Sequence, residues 1–168
     1  MPFHQFVKEE VLTPIGMQQS EFYFQLPVDS KLLANGYKMK NGTFEIEAFL
    51  AMNIEPAGGL CANASDMEKF LQLMLKNGIL DTGQFLQKET IIRIENPQTT
   101  LATKAGLPFG YGLANSTSWE KNVEFHGHNG GIDGFGSDYR YSREADLGVA
   151  ISVNSLVSPG PFLNIIYD

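Results

Sequence analysis

The chain has 168 residues, 43% hydrophobic and 18% charged, the make-up of one globular domain with enough apolar side chains to bury a core. Its net charge of −7, twelve basic residues scattered among nineteen acids, argues against a nucleic-acid partner, which needs clustered Lys and Arg. No apolar run approaches the ~20 residues that span a bilayer, no basic-then-apolar leader opens the chain, and the lone Cys61 rules out an internal disulfide or a multi-thiol metal site.

Phe3, Phe6, Val7 and Leu12 recur at roughly helical spacing, and Pro14 and Gly16 then predict a stop. From Met17 to Pro56 no period is sustained. Gly36 and Asn41-Gly42 mark turns, residues 43–48 alternate like a strand, and the rest reads as a long folded loop. The strongest helix signal comes next: Ser65 and Glu68 form a capping box, and Met67, Phe70, Leu71, Met74 and Leu75 make one apolar face. Gly78 predicts its C-terminal cap, and a shorter helix is predicted over residues 87–95, ahead of Pro97.

Beyond Pro97 aromatic and β-branched residues dominate. Strands are predicted over 109–116, 123–128, 134–141 and 147–153, with turns at 120–122, 129–133 and 142–146. Connections this short make the strands an antiparallel meander. A last helix is predicted over 161–167, with Pro161 in its first turn and Phe162, Ile165 and Ile166 apolar.

Four pieces of the chain, taken in order, carry a family resemblance. They are Leu12-Thr13-Pro14-Ile15-Gly16-Met17; Pro56-Ala57-Gly58-Gly59-Leu60 leading into Ser65-Asp66-Met67; Phe109-Gly110-Tyr111-Gly112-Leu113; and Gly127-His128-Asn129-Gly130-Gly131-Ile132-Asp133-Gly134-Phe135. Together they resemble the serine hydrolase family of class C β-lactamases, D,D-peptidases (penicillin-binding proteins) and related esterases, in its C-terminal portion only. The last piece is similar to that family's Lys-Thr-Gly or His-x-Gly strand. The family's nucleophile, in a Ser-x-x-Lys turn, and its Tyr-x-Asn motif have no counterpart. No Tyr-x-Asn occurs, and Ser118-Trp119-Glu120-Lys121 satisfies the first string only between predicted strands, where Lys121 is not one helical turn from the hydroxyl.

The resemblance implies an α+β fold of the β-lactamase/transpeptidase type, in part. Residues 1–96 would be a remnant of its helical domain, and residues 97–168 its antiparallel sheet with a terminal helix. It implies acyl transfer on a β-lactam, a D-amino-acid peptide or a small ester, without a cofactor, by a parent enzyme whose N-terminal half this chain lacks. The chain alone is expected to be inactive, and to need that half or to self-associate. A periplasmic or secreted location is what the family suggests. In the family pattern the Gly131 N–H serves the oxyanion hole, while His128, Asn129 and Gly130 bind substrate. Alternation places His126, His128 and Gly130 on one strand face and Gly127, Asn129 and Gly131 on the other. Gly58 stands where class C lactamases carry a cleft tyrosine, which favours an esterase or peptidase pocket. His126 reads as structural, and Tyr111, Phe135 and Tyr139 as core or rim aromatics.

Two other readings compete. Glu124, His126 and His128 alternate on one strand face as metal ligands do, although His4 is then the only further histidine. A non-catalytic module that binds peptide-like ligands along the His128 strand is the other.

Overall fold

A computed structural model describes residues 1–23, 31–48, 55–98, 100–107 and 109–167. Helix α1 (Phe3–Val7) continues through a π turn, Lys8–Leu12, into α2 (Thr13–Ile15). Pro14 therefore lies inside the last turn instead of after the helix. It has no N–H to give, and the wider turn ahead of it accommodates the missing bond. Gly16, left-handed at φ 87°, ends the helix as expected, and Leu12, Ile15 and Met17 bury against Leu73.

The stretch read as a loop carries more pairing than its sequence suggests. Strand β1 (Glu21–Phe22) precedes a hairpin of β2 (Gly36–Lys40) and β3 (Thr43–Glu47), and β4 (Leu60–Cys61) returns to pair with β1. Asn41 and Gly42, both at positive φ, form the hairpin's two-residue turn. At its base Gly36 and Gly134 meet back to back: a Cβ on either would come within 3 Å of the other's backbone.

Helix α3 (Ala64–Leu75) forms where the apolar face predicts it, but its cap is Asn63, whose side chain accepts from the Asp66 N–H at 2.9 Å. Ser65 is the second residue of the helix, so the cap lies two residues ahead of the predicted one. Buried Asp66 accepts from Ser20 Oγ and the Gln19 N–H, each at 2.8 Å, and thereby ties the α2 exit to α3. A small unexpected hairpin, β5 (Ile79–Leu80) and β6 (Gly83–Gln84), links α3 to α4 (Lys88–Glu95), and the single turn α5 (Leu101–Lys104) follows under a Thr100 cap.

The main sheet contains β7 (Gly110–Tyr111), β8 (Ser116–Glu120), β9 (Val123–Ile132), β10 (Phe135–Ser142) and β11 (Leu147–Val153), in the antiparallel order 11-10-9-8-7, and α6 (Gly160–Tyr167) closes the chain. The meander and the last helix are as predicted, with two corrections. The strand predicted over 109–116 is two, because Gly112 turns the chain back with its N–H on the Asn115 carbonyl. The turn predicted at 129–133 is strand: Gly130 and Gly131 pair with Ser137 and Gly136, and the chain reverses only at Asp133-Gly134.

α3 and α4 cover one face of this sheet, where Leu71, Met74, Ile91 and Tyr141 form a buried cluster and Phe70 meets Tyr139 edge-on. The polar lock between helix and sheet is the buried Glu95 carboxylate at the end of α4. It accepts from Tyr141 Oη at 2.8 Å and from both terminal nitrogens of Arg143, and its backbone carbonyl accepts from Thr117 Oγ1. Asn115 extends the network, donating to Tyr141 Oη and accepting from the Gly127 N–H. The bonds from Glu95 push the Arg143 guanidinium up, and burial, with Glu95 adding, pushes the Tyr141 hydroxyl up.

His126 completes the lock. Nδ1 lies 3.0 Å from Thr117 Oγ1, Nε2 lies 3.8 Å from Glu95, and the ring rests on Tyr141. Burial pushes its pKa down, further than the Glu95 and Glu124 charges raise it.

Glu95→Ala is expected to cost about 3 kcal/mol in urea denaturation, since it strands a partly buried guanidinium, and Tyr141→Phe about 1 kcal/mol; a loss below half of either figure would remove the lock from the account. His126 stays neutral in the fold below its ordinary titration range near ~6.5, whereas the unfolded chain takes up the proton. Its contribution is therefore present above that value and is lost as pH falls toward the depressed one. Stability should drop as pH falls below about 7, and His126→Gln should flatten that part of the curve.

Candidate functional site

Strand β9 changes character along its length. Phe125, His126 and Gly127 are buried, His128 is half-buried, and Asn129, Gly130 and Gly131 are exposed. Gly127 is required for close approach, because a Cβ there would lie 2.0 Å from the Tyr139 carbonyl oxygen. Gly130 has open space where its Cβ would be, and at Gly131 the Cβ position lies 3.2 Å from Leu156 and 3.7 Å from the Phe135 carbonyl oxygen.

The ladder with β8 ends at the Ser116↔Gly127 pair, whereas the ladder with β10 runs on to Ile132↔Phe135. From His128 to Ile132 only one edge of β9 is paired to a described strand. Two observations fix which backbone groups face the open edge. The Gly127 N–H donates to Asn115 and its carbonyl accepts from Ser116 Oγ, so both point toward β8. The two-residue turn at Asp133-Gly134 leaves Ile132 and Phe135 as the pair that exchanges hydrogen bonds across the hairpin. With a period of two, the N–H and C=O of Asn129 and Gly131 face the open edge, and those of His128 and Gly130 face β10.

Side chains follow the same alternation. His128 is in register with Tyr139 on the face that carries Tyr141 and the helices, two residues beyond His126. Its Nε2 lies 2.6 Å from the Tyr111 hydroxyl, a contact that reading Tyr111 as a rim aromatic missed; the pair is 17 residues apart, with a strand between, and no local pattern signals it. Gly131 and Asn129 belong to the opposite face, where Arg140 joins Asp138, at 2.9 Å, to Ser116.

The metal-ligand alternation dissolves in three dimensions. Glu124 approaches His126 at 3.7 Å, but His126 is turned into the Glu95 lock and His128 toward Tyr111. Among the described residues no three His, Cys, Asp or Glu side chains gather as a ligand set. Ser118 lies in β8 and Lys121 at φ 49° in the turn that follows, so no helical turn joins them. Phe135 opens β10, and exposed Gly58 occupies a left-handed turn at φ 105°.

The Beta-lactamase family profile matches residues 1–166. Beta-lactamase-like protein 1 of Dictyostelium discoideum is 39% identical over 83 residues, 48% of this chain and 13% of that protein. The fold is similar to an octameric penicillin-binding protein homologue from Pyrococcus abyssi, with a TM-score of 0.77 at 23% identity over 92% of this chain and 34% of that one. It is also similar to a D-stereospecific amidohydrolase from Streptomyces sp., with a TM-score of 0.69 at 22% identity over 93% and 45% of the respective chains. The chain thus spans less than half the length of each of these proteins. With the fold shared across nearly all of its own length and the profile matched from its first residue to residue 166, the chain belongs to the Beta-lactamase family.

Proposed function

We propose that this chain is the acyl-group-docking part of a serine hydrolase of this family, and that it binds a lactam, a D-amino-acid peptide or a small ester without turning it over alone. The observation that carries the reading is the half-open strand β9, on which Gly131 offers an N–H and a C=O to an incoming extended group. The N–H is the oxyanion donor and the C=O accepts from the ligand's own amide. A donor of this kind, once a nucleophile attacks, is worth roughly 3 to 4 kcal/mol. Asn129 offers the same pair of groups one period earlier, Gly130 leaves room above the strand, and His128 binds the ligand's polar end. The D-stereospecificity of the amidohydrolase with this fold makes D-amino-acid peptides the first class to try.

The reading of inactivity rests on the missing Tyr-x-Asn and on Ser118 lying in a strand. In the same proposal residues 1–96 come from the helical part of the parent fold and residues 97–168 supply the sheet. The nucleophile would come from a further N-terminal half. Edge strand β11, seven residues without a charge or a proline, and exposed Phe162 and Ile165 on α6 supply surface for that half, or for a second copy in its absence.

Chromogenic lactams and nitrophenyl esters should pass through the purified chain unhydrolysed. A stable fluorophosphonate adduct mapped to Ser118 or another serine would overturn the inactivity. Titration with an N-acyl-D-alanyl-D-alanine peptide should move the amide resonances of Asn129 and Gly131 ahead of all others. Gly131→Pro, which removes an N–H that no ladder among the described residues uses, should abolish the Asn129 shift and leave the fold intact. Gly130→Ala should stabilise the strand by about 0.5 kcal/mol and weaken docking at the same time; docking that is unaffected by both changes would place the ligand elsewhere.

A further inference from the structure

Tyr111 meets His128 edge-on, ring planes at 66° and centroids 5.6 Å apart, with the hydroxyl 2.6 Å from Nε2. Several bonds build this contact. β7 pairs with β8 through Gly110↔Thr117 and Tyr111↔Ser116, and the Gln98 N–H donates to the Tyr111 carbonyl at 3.1 Å. α5 sets the path of β7: Thr103 Oγ1 bonds the Phe109 carbonyl, and Gly110 runs so close that a Cβ would lie 2.8 Å from the hydroxyls of Thr100 and Thr103. On the other side His128 is fixed by the β9–β10 ladder, opposite Tyr139. The two rings are thus delivered to each other by separate elements, each held by its own hydrogen bonds.

We propose that Tyr111 is a positioning residue for His128, donating its hydroxyl proton to Nε2 and so keeping the imidazole proton on Nδ1. A phenol is a good donor, and a bare imidazole nitrogen is the stronger acceptor of the two groups, so the bond runs in this direction whenever the ring is neutral. The other polar groups nearby do not compete for Nε2. The hydrogen bond at Nε2 goes to Tyr111, and Asp138 is engaged by Arg140. With Nε2 occupied, His128 keeps one free donor, Nδ1–H. For the docking role proposed above, which this inference deepens, the histidine then meets an acceptor on the ligand as an oriented donor.

Nitrogen-15 imidazole spectra of the whole chain at about pH 8, where an ordinary histidine is neutral, read the tautomer directly. The expected result is His128 with Nδ1 protonated and Nε2 bare as the dominant form. In Tyr111→Phe that form should become the minor one, while the His126 resonances and the melting temperature stay in place. An Nε2–H His128 in the unaltered chain, or an unchanged tautomer in Tyr111→Phe, overturns the proposal. The first of these is read without a variant, so a Tyr111→Phe that fails to fold does not spoil the test. Because no ligand takes part, the tautomer can hold while docking at Gly131 fails, and docking can succeed while the tautomer does not hold.

Discussion

The Glu95 carboxylate is the constraint on which the rest of the structure depends. It terminates α4 and is nearly inaccessible to water, yet it stays compatible with burial because a phenol and a guanidinium from neighbouring positions of one strand end converge on it. A buried carboxylate without such partners would cost more than any apolar packing around it could return. The consequence is positional: Tyr141 cannot slide along β10 without losing the carboxylate, and β10 sets the register of β9. Asn115 carries the same constraint to the other neighbour, since it bonds both Tyr141 and the Gly127 amide. One helix end thus fixes where the β8 ladder stops, and that stopping point decides which peptide groups of β9 are left over.

β9 consequently does two jobs in ten residues. Its first half belongs to the core, with Phe125 and His126 buried and Gly127 pressed against the Tyr139 carbonyl. Its second half pairs with a single strand among the described residues and presents backbone on the other edge. The transition occurs at His128, half-buried and hydrogen-bonded to the hydroxyl of exposed Tyr111, after which come exposed Asn129 and two glycines. Rigidity on one side and vacancy on the other is what a surface for gripping a peptide bond requires, because the donors do not have to be reorganised when the ligand arrives.

Much of this was legible in the sequence where local chemistry decides the outcome. The meander, the α3 face, the Asn41-Gly42 turn and the terminal helix all follow from spacing and turn residues. The motif around His128 stood out by its order among three other pieces. What escaped was decided at a distance. Gly130-Gly131 looks like a turn, and becomes strand because Asp133-Gly134 provides a tighter reversal two residues later, a two-residue hairpin signal present in the sequence and outweighed there by the adjacent glycines. Asn63 out-competes Ser65 as a cap because Ser20 and Gln19 draw Asp66 inward. Nothing local marks Glu95 as buried, since Tyr141 and Arg143 lie 46 and 48 residues away. Tyr111 reads as a rim aromatic for the same reason.

The contact of Gly36 with Gly134 bears on how this family member can vary. The β2–β3 hairpin rests on the turn that follows β9 through two residues with no side chains to compress, so neither base position can gain a methyl group without pushing the hairpin off the strand end. The tip is limited by backbone conformation and not by space: nothing lies within 4 Å of where a Cβ on Gly42 would be, but Asn41 and Gly42 are both held at positive φ. The hairpin can therefore be lengthened at its tip without a steric clash, whereas a Cβ at residue 36 or 134, alone or together, is excluded. The arm can thus change its reach at the tip while its hinge point beside the end of β9 stays where it is.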